Sequence, residues 1–163
     1  MTPIVPVEIE RKYLVEPGCP ALSGQCEDIV QGFFASADRT AVRVRLSDEG
    51  AWLTLKGATV GARRAEFEYA IPREEARQIL DELCGGGVVV KQRYRYRHQG
   101  YLWEIDVFQG ENAGLVIAEV ELESEQDQPP RPAWVGSEVT GDPRYYNQNL
   151  ARHPFSQWQT GED

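Results

Sequence analysis

Two carboxylates and an ammonium alternate through VEIERKYL, residues 7 to 14. Side chains alternate faces along an extended chain, so Glu8, Glu10 and Lys12 share one face and Ile9, Arg11 and Tyr13 the other. Carboxylates two residues apart, roughly 6.7 Å, repel by about 2 kcal/mol at an effective dielectric of ~20. The pattern recurs with either sign: Arg43 and Arg45, Lys91 and Arg93, Glu66 and Glu68, Glu104 and Asp106, Glu119 and Glu121, with Lys56 closing WLTLK. One such row is what any half-buried strand with a solvated face shows. Rows of like charge, in both signs and strand after strand, gain nothing from water. Gathered into one cavity they have a use. Carboxylates bind hard divalent cations such as Mg²⁺, and Lys and Arg bind phosphate oxygens. A polyanion such as triphosphate bridges the two sets.

The elements that must position these rows are mostly strands. β-Branched and aromatic residues alternate with charge over 5–15, 26–35, 40–48, 51–57, 62–71, 88–98, 100–109 and 114–124, with Gly, Asp, Glu or Asn in the turns. Short connections favour antiparallel pairing. A helix is expected over 72–84, with Pro72 in its first turn, Ala76, Ile79, Leu80 and Leu83 at helical spacing, and Gly85–Gly87 as its stop. A second, over about 142–152, starts at Asp142–Pro143. Residues 127–134 read as a connector and 153–163 as a tail. The fold class is mainly β (α+β). Eight antiparallel strands form a sandwich or close into a barrel, and rows of both signs favour an eight-stranded antiparallel closed barrel with a few flanking helices.

Composition narrows the function. A net charge of −9 disfavours a nucleic-acid or anionic-membrane partner. No apolar run approaches the ~20 residues that cross a bilayer, and MTPIVPVEIE lacks the pattern of a secretory signal. Three cysteines without metal spacing suit a reducing compartment, so a cytoplasmic protein is expected. His98 and His153 stand alone, Ser47 and Ser156 lack a nucleophile context, and the glycines at 85–87 end a helix instead of opening one. Trp52 and Trp103 read as packing residues, and Trp134 and Trp158 as seals of the barrel exterior. Arg63, Arg64, Arg95 and Arg97 extend basic rows toward strand ends, where exposure is the default.

EIERKYL resembles the ExExK signature of the CYTH superfamily, the triphosphate tunnel metalloenzymes. The likeness continues through QGFF, RVRL, WLTLKG, EFEYAI, KQRYR, WEIDVFQG, AEVELES and EVTGDPRYYNQNLA, in family order, from about residue 7 to residue 151. It implies one tunnel domain over 1–163, most similar to compact bacterial inorganic triphosphatases. The activity implied is hydrolysis of inorganic tripolyphosphate to pyrophosphate and phosphate, using Mg²⁺ or Mn²⁺ with two ions in the site. By position, Glu8, Glu10, Glu119 and Glu121 match metal ligands. Lys12, Arg43, Arg45, Lys56, Lys91 and Arg93 match phosphate-binding bases, and Lys12, Lys56, Glu119 and Glu121 carry the catalytic roles. Glu66, Glu68, Glu104 and Asp106 match further tunnel acids, and Arg144 a position near the tunnel mouth. The partner implied is a small polyanion, without nucleic acid or membrane, and homodimerisation is left open. The family also holds thiamine triphosphatases and class IV adenylyl cyclases. Outside enzymes, a non-catalytic polyphosphate- or nucleotide-binding barrel and a protein-interaction barrel are the alternatives.

Overall fold

Period-two alternation produces strands here because one face can bury apolar side chains while the other keeps its charges, and short turns fold each strand back on its neighbour. The computed structural model describes residues 6–35 and 39–158. Its strands are β1 (Val7–Val15), β2 (Cys26–Phe33), β3 (Ala41–Ser47), β4 (Gly50–Lys56), β5 (Arg63–Ala70), β6 (Val88–His98), β7 (Tyr101–Phe108), β8 (Val116–Glu121) and β9 (Val135–Glu138). The helices are α1 (Arg73–Glu82) and α2 (Asn147–Arg152). The eight expected strands are present. The expected start at Val5 and the tail from 159 onward lie outside the described residues.

Every pairing is antiparallel, in the order β5-β4-β3-β2-β6-β7-β8-β1. β1 closes the ring by dividing its length: Val7–Ile9 pair with β5, and Glu10–Leu14 pair with β8. β9, between the expected connector over 127–134 and the expected second helix, in a stretch given no element from sequence, adds to β1 opposite Tyr13 and Val15. Its four residues, VGSE, carry no alternation strong enough to announce a strand. The edge of β1 beyond β5 supplies the template. The second helix also differs from expectation. Pro143–Tyr145 form a 3₁₀ turn, Tyr146 is extended at φ −70°, ψ 132°, and only then does α2 begin.

The apolar faces point outward and are covered in patches. α1 lays Ala76, Ile79 and Leu80 over Val44 and Ala51. Gly32 makes room there, since a Cβ at that position would meet Cys84 Sγ at 2.3 Å. On the opposite side Trp103, Tyr13 and Trp134 form a buried aromatic cluster with Tyr96. Trp103 and Trp134 therefore pack, as their residue type suggested.

The inner face changes character along its length. Lys12 is followed by Leu14 on the same face of β1, Lys91 by Val89 on β6, Asp106 by Phe108 on β7, and Glu119 by Ile117 on β8. Val89, Phe108 and Ile117 pack with Leu150 of α2 and Tyr145, and Leu14 joins them. One end of the barrel is thus plugged by an apolar C-terminal segment, and the charged rows lie beyond it. No helix among the described residues is long and apolar enough to cross a membrane.

Candidate active site

Register decides which charges meet. Antiparallel pairing sets Lys12 opposite Glu119, Glu119 opposite Glu104, Glu104 opposite Arg95, and Asp106 opposite Arg93. On the far wall Arg43 faces Thr54, and Lys56 faces Glu66. Two cavities occupy the lumen and share Glu8, Glu10, Arg43, Lys56, Arg93 and Glu119. The one beside the plug adds Lys12, Lys91, Arg64, Thr140, Tyr146 and Asn147. The other opens past Arg45, Glu66, Glu68, Arg95, Glu104 and Glu121. Apart from Asp106, buried in the lumen wall beneath Lys91 and Arg93, and Arg144, every charged residue proposed from sequence for the site lines this space.

Arg144 is the exception in kind. Its side chain is 64% exposed, pairs with Asp142 at 2.8 Å, and stacks over Tyr145 and Trp158, outside both lumen cavities. The turn at 143–145 sends it outward and gives the inward approach to Asn147. Arg64, expected in solvent, lines the lumen and donates from Nε to the Gly57 carbonyl at 3.0 Å.

Most of the cations are already engaged. Lys12 Nζ lies 2.8 Å from Glu10 and 2.7 Å from Glu119. Lys56 is 3.0 Å from Glu8, Lys91 2.7 Å from Asp106, and Arg93 2.8 Å from the same Asp106. Arg43 and Arg45 differ. They share the Glu68 carboxylate at 3.8 Å each, and among the described residues both leave a buried Nε without an acceptor. A buried donor left unpaired costs about 1–3 kcal/mol, so the β3 arginines are poised for an anion.

A chain whose lumen presents this set invites comparison with known proteins. The CYTH domain model matches residues 7–152. The chain belongs to the CYTH domain family. It is 42% identical over 152 residues to an inorganic triphosphatase of Acetivibrio thermocellus, covering 93% of this chain and 97% of that protein. It is 35% identical over 148 residues to an inorganic triphosphatase of Nitrosomonas europaea, covering 88% and 96%. A crystal structure described as an inorganic triphosphatase superposes with a TM-score of 0.63 at 34% identity, covering 88% of this chain and 97% of that one.

In this CYTH chain the buried charges shift one another. Burial and the charge of Glu119 push the Glu10 carboxyl up to about 7, against the pull of Lys12. Glu119 is penalised by burial too, yet Lys12, Arg93 and Lys91 together hold it well below the usual carboxylate range. Burial, with Glu66 nearby, raises Glu8. Burial, with Arg45 beside it, lowers Arg43. Lys91 falls from 10.5 to about 8 because burial outweighs Asp106, with Arg93 adding to the fall. Asp106 itself is lowered, for although burial opposes its charge, Arg93 and Lys91 both favour it. The two directions agree once one carboxylate is seen to serve two cations, which leaves Lys91 under-compensated.

That arrangement has a pH signature. Between about pH 8 and 10.5 the unfolded chain binds the Lys91 proton and the folded one does not, so this residue makes stability rise with pH across that window. Lys12, raised by its two carboxylates despite burial, works in the opposite sense only at still higher pH. Thermal unfolding from about pH 8 to about 10 should show a steeper upward trend in the parent than in Lys91→Met. Parallel curves would mean that Lys91 keeps its proton.

Several buried polar residues behind the lumen were not singled out from sequence. Gln31 Nε2 donates to Asn147 Oδ1 at 2.6 Å, Thr54 donates to Glu68 at 3.1 Å, and Glu27 takes Arg95 at 2.7 Å. Gln31 and Glu27 lie on the inner face of β2, whose register with β6 could be read only after pairing.

Proposed function

We infer that this chain hydrolyses a triphosphate inside the barrel, inorganic tripolyphosphate to pyrophosphate and phosphate, with a divalent cation, Mg²⁺ or Mn²⁺ and two ions per site. The observation that carries the reading is the pair of β3 arginines. In a lumen where Lys12, Lys56, Lys91 and Arg93 each have a carboxylate within 3.0 Å, Arg43 and Arg45, among the described residues, have only a shared one at 3.8 Å and unpaired buried donors. The two inorganic triphosphatase relatives support the substrate. The lumen draws on residues from Glu8 to Asn147, which supports one tunnel domain. Three free cysteines support the cytoplasm as its compartment.

The donor set fits the metal in kind. Glu8, Glu10, Glu119 and Glu121 offer only hard oxygen ligands, as Mg²⁺ and Mn²⁺ require. Among the described residues no three carboxylates converge on one point, and the Lys12 ammonium stands between Glu10 and Glu119. Bound there, a divalent cation would neutralise phosphate oxygens and lower the pKa of an attacking water. The remaining work falls to the chain itself. Phosphoryl transfer asks mainly for positioning and charge stabilisation, because its transition state is loose. Arg43 and Arg45 hold the polyphosphate through their free donors, and Arg93 and Lys91 face it from the opposite wall. Lys12 and Lys56 stabilise charge as it develops on the leaving pyrophosphate. Glu119 and Glu121 serve at the attacking water.

Product analysis with tripolyphosphate, ATP and thiamine triphosphate, in Mg²⁺ or Mn²⁺, tests the reading. Phosphate and pyrophosphate from tripolyphosphate, lost on adding EDTA, are expected. Cyclic AMP from ATP would place the chain with the cyclases, and tight binding without turnover would make it a polyphosphate-binding barrel. Arg43→Ala should raise KM for tripolyphosphate by about 10–100-fold, the loss of one or two hydrogen bonds to a charged group. Undiminished rates at low substrate would remove Arg43 from the phosphate site.

A further inference from the structure

Lys91 lies beside the apolar plug, its Nζ 5.6 Å from the Phe108 ring, and it is gripped from two sides. Asp106 Oδ2 on β7 lies 2.7 Å from its Nζ, and Asn147 Oδ1, on the first residue of α2, lies 2.9 Å away. An ammonium has three donors and no acceptor, so the Asn147 amide must present its oxygen to it. Gln31 donates to the same oxygen at 2.6 Å, which fixes the amide's rotation. Two of the three Lys91 donors are thereby engaged, and one remains for a ligand in the cavity that both residues line. Asn147 is itself located by the plug: Leu150 and Tyr145 are buried against Val89, Phe108 and Ile117. Seating of the C-terminal segment therefore sets the amide, and the amide sets the ammonium.

We propose that Asn147 is a positioning residue for the substrate: it holds the Lys91 ammonium against the lumen wall so that its remaining donor meets a phosphate oxygen. The inference rests on the triphosphatase reading of the tunnel. The charged groups that face Lys91 are Asp106 on the adjoining strand β7, Arg93 two residues along on β6 itself and Glu119 on β8, with the Phe108 ring 5.6 Å away. Asn147 thus supplies a neutral acceptor beside the Asp106 carboxylate.

The test follows tripolyphosphate binding by calorimetry in EDTA from about pH 6 to about 10, beside KM and kcat in Mg²⁺. Asn147→Leu removes the acceptor. Binding at neutral pH should weaken about tenfold and KM rise to match, with kcat changed less than about threefold. The pH above which binding weakens should move down in that variant, because the ammonium has lost a partner. Asn147→Asp puts a charged acceptor in the same place and should move that pH up. A merely structural role would lower the melting temperature and leave the pH limb where it was. An unmoved limb in both variants overturns the proposal. If Asn147→Leu does not fold, Asn147→Asp decides alone. A parent that binds tripolyphosphate without releasing phosphate would overturn the triphosphatase reading and leave the binding test in force. A parent that binds none at any pH overturns both.

Discussion

Glu10→Gln should lower kcat for tripolyphosphate about 100-fold or more and weaken Mn²⁺ activation, while shifting the melting temperature by less than about 2 °C. The two halves of that expectation have different physical sources. Activity falls because Glu10 is a proposed metal ligand, and a neutral amide oxygen cannot replace a carboxylate on a hard divalent ion. Stability holds because the Glu10 charge contributes little to folding. Burial and the neighbouring Glu119 already push it toward the neutral form, and Lys12 keeps its 2.7 Å bond to Glu119 when Glu10 is neutralised. Steady-state kinetics over a Mn²⁺ titration, together with thermal unfolding, measures both. Parental half-activation by Mn²⁺ would take Glu10 out of the ligand set.

Asp106→Asn should act on the opposite term. Asp106 is fully buried and is the close carboxylate partner of both Lys91 and Arg93. Removing its charge takes the close carboxylate from buried Lys91 and leaves Arg93 with Glu104 at 3.3 Å and Glu119 at 3.8 Å, and breaking a buried pair in this way typically costs about 3–5 kcal/mol. At about 2–4 °C per kcal/mol for a chain of this size, the melting temperature should fall by about 6–20 °C. Glu104→Gln is the control. Glu104 sits at the open end, contacts Arg93 and Arg95 at 3.3 and 3.5 Å, and is 30% exposed, so its loss should cost less than about 1 kcal/mol. Equal melting temperatures for the two variants would mean that burial at Asp106 is relieved by rearrangement. The contrast separates carboxylates held for the fold from those held for the ligand.

Much of this molecule was legible before any coordinates. Alternation at period two assigned Glu8, Glu10 and Lys12 to one face, and the same rule placed Arg43 with Arg45 and Glu119 with Glu121. That those faces continue into Leu14, Val89, Phe108 and Ile117, where charge stops, emerged only when the C-terminal segment was seen packed on them. Alternation reports which face a side chain takes, and it is local, so eight strands and their inner rows followed from sequence. It does not report which strand lies beside which, or at what offset.

Tertiary structure alone decided the rest. Asn147 meets Lys91 across 56 residues of chain, through the closure of β2 onto β6 and the docking of Leu150 in the barrel's end. Arg144, three residues earlier, was turned to solvent by a 3₁₀ turn that no spacing rule foretold. The four residues of β9 became a strand only because β1 had an unpaired edge to offer. Sequence thus determined what chemistry the lumen could hold. Register decided which cations were neutralised by carboxylates and which two, Arg43 and Arg45, kept buried donors free, because ion pairing depends on distances of a few ångströms that only the closed barrel sets.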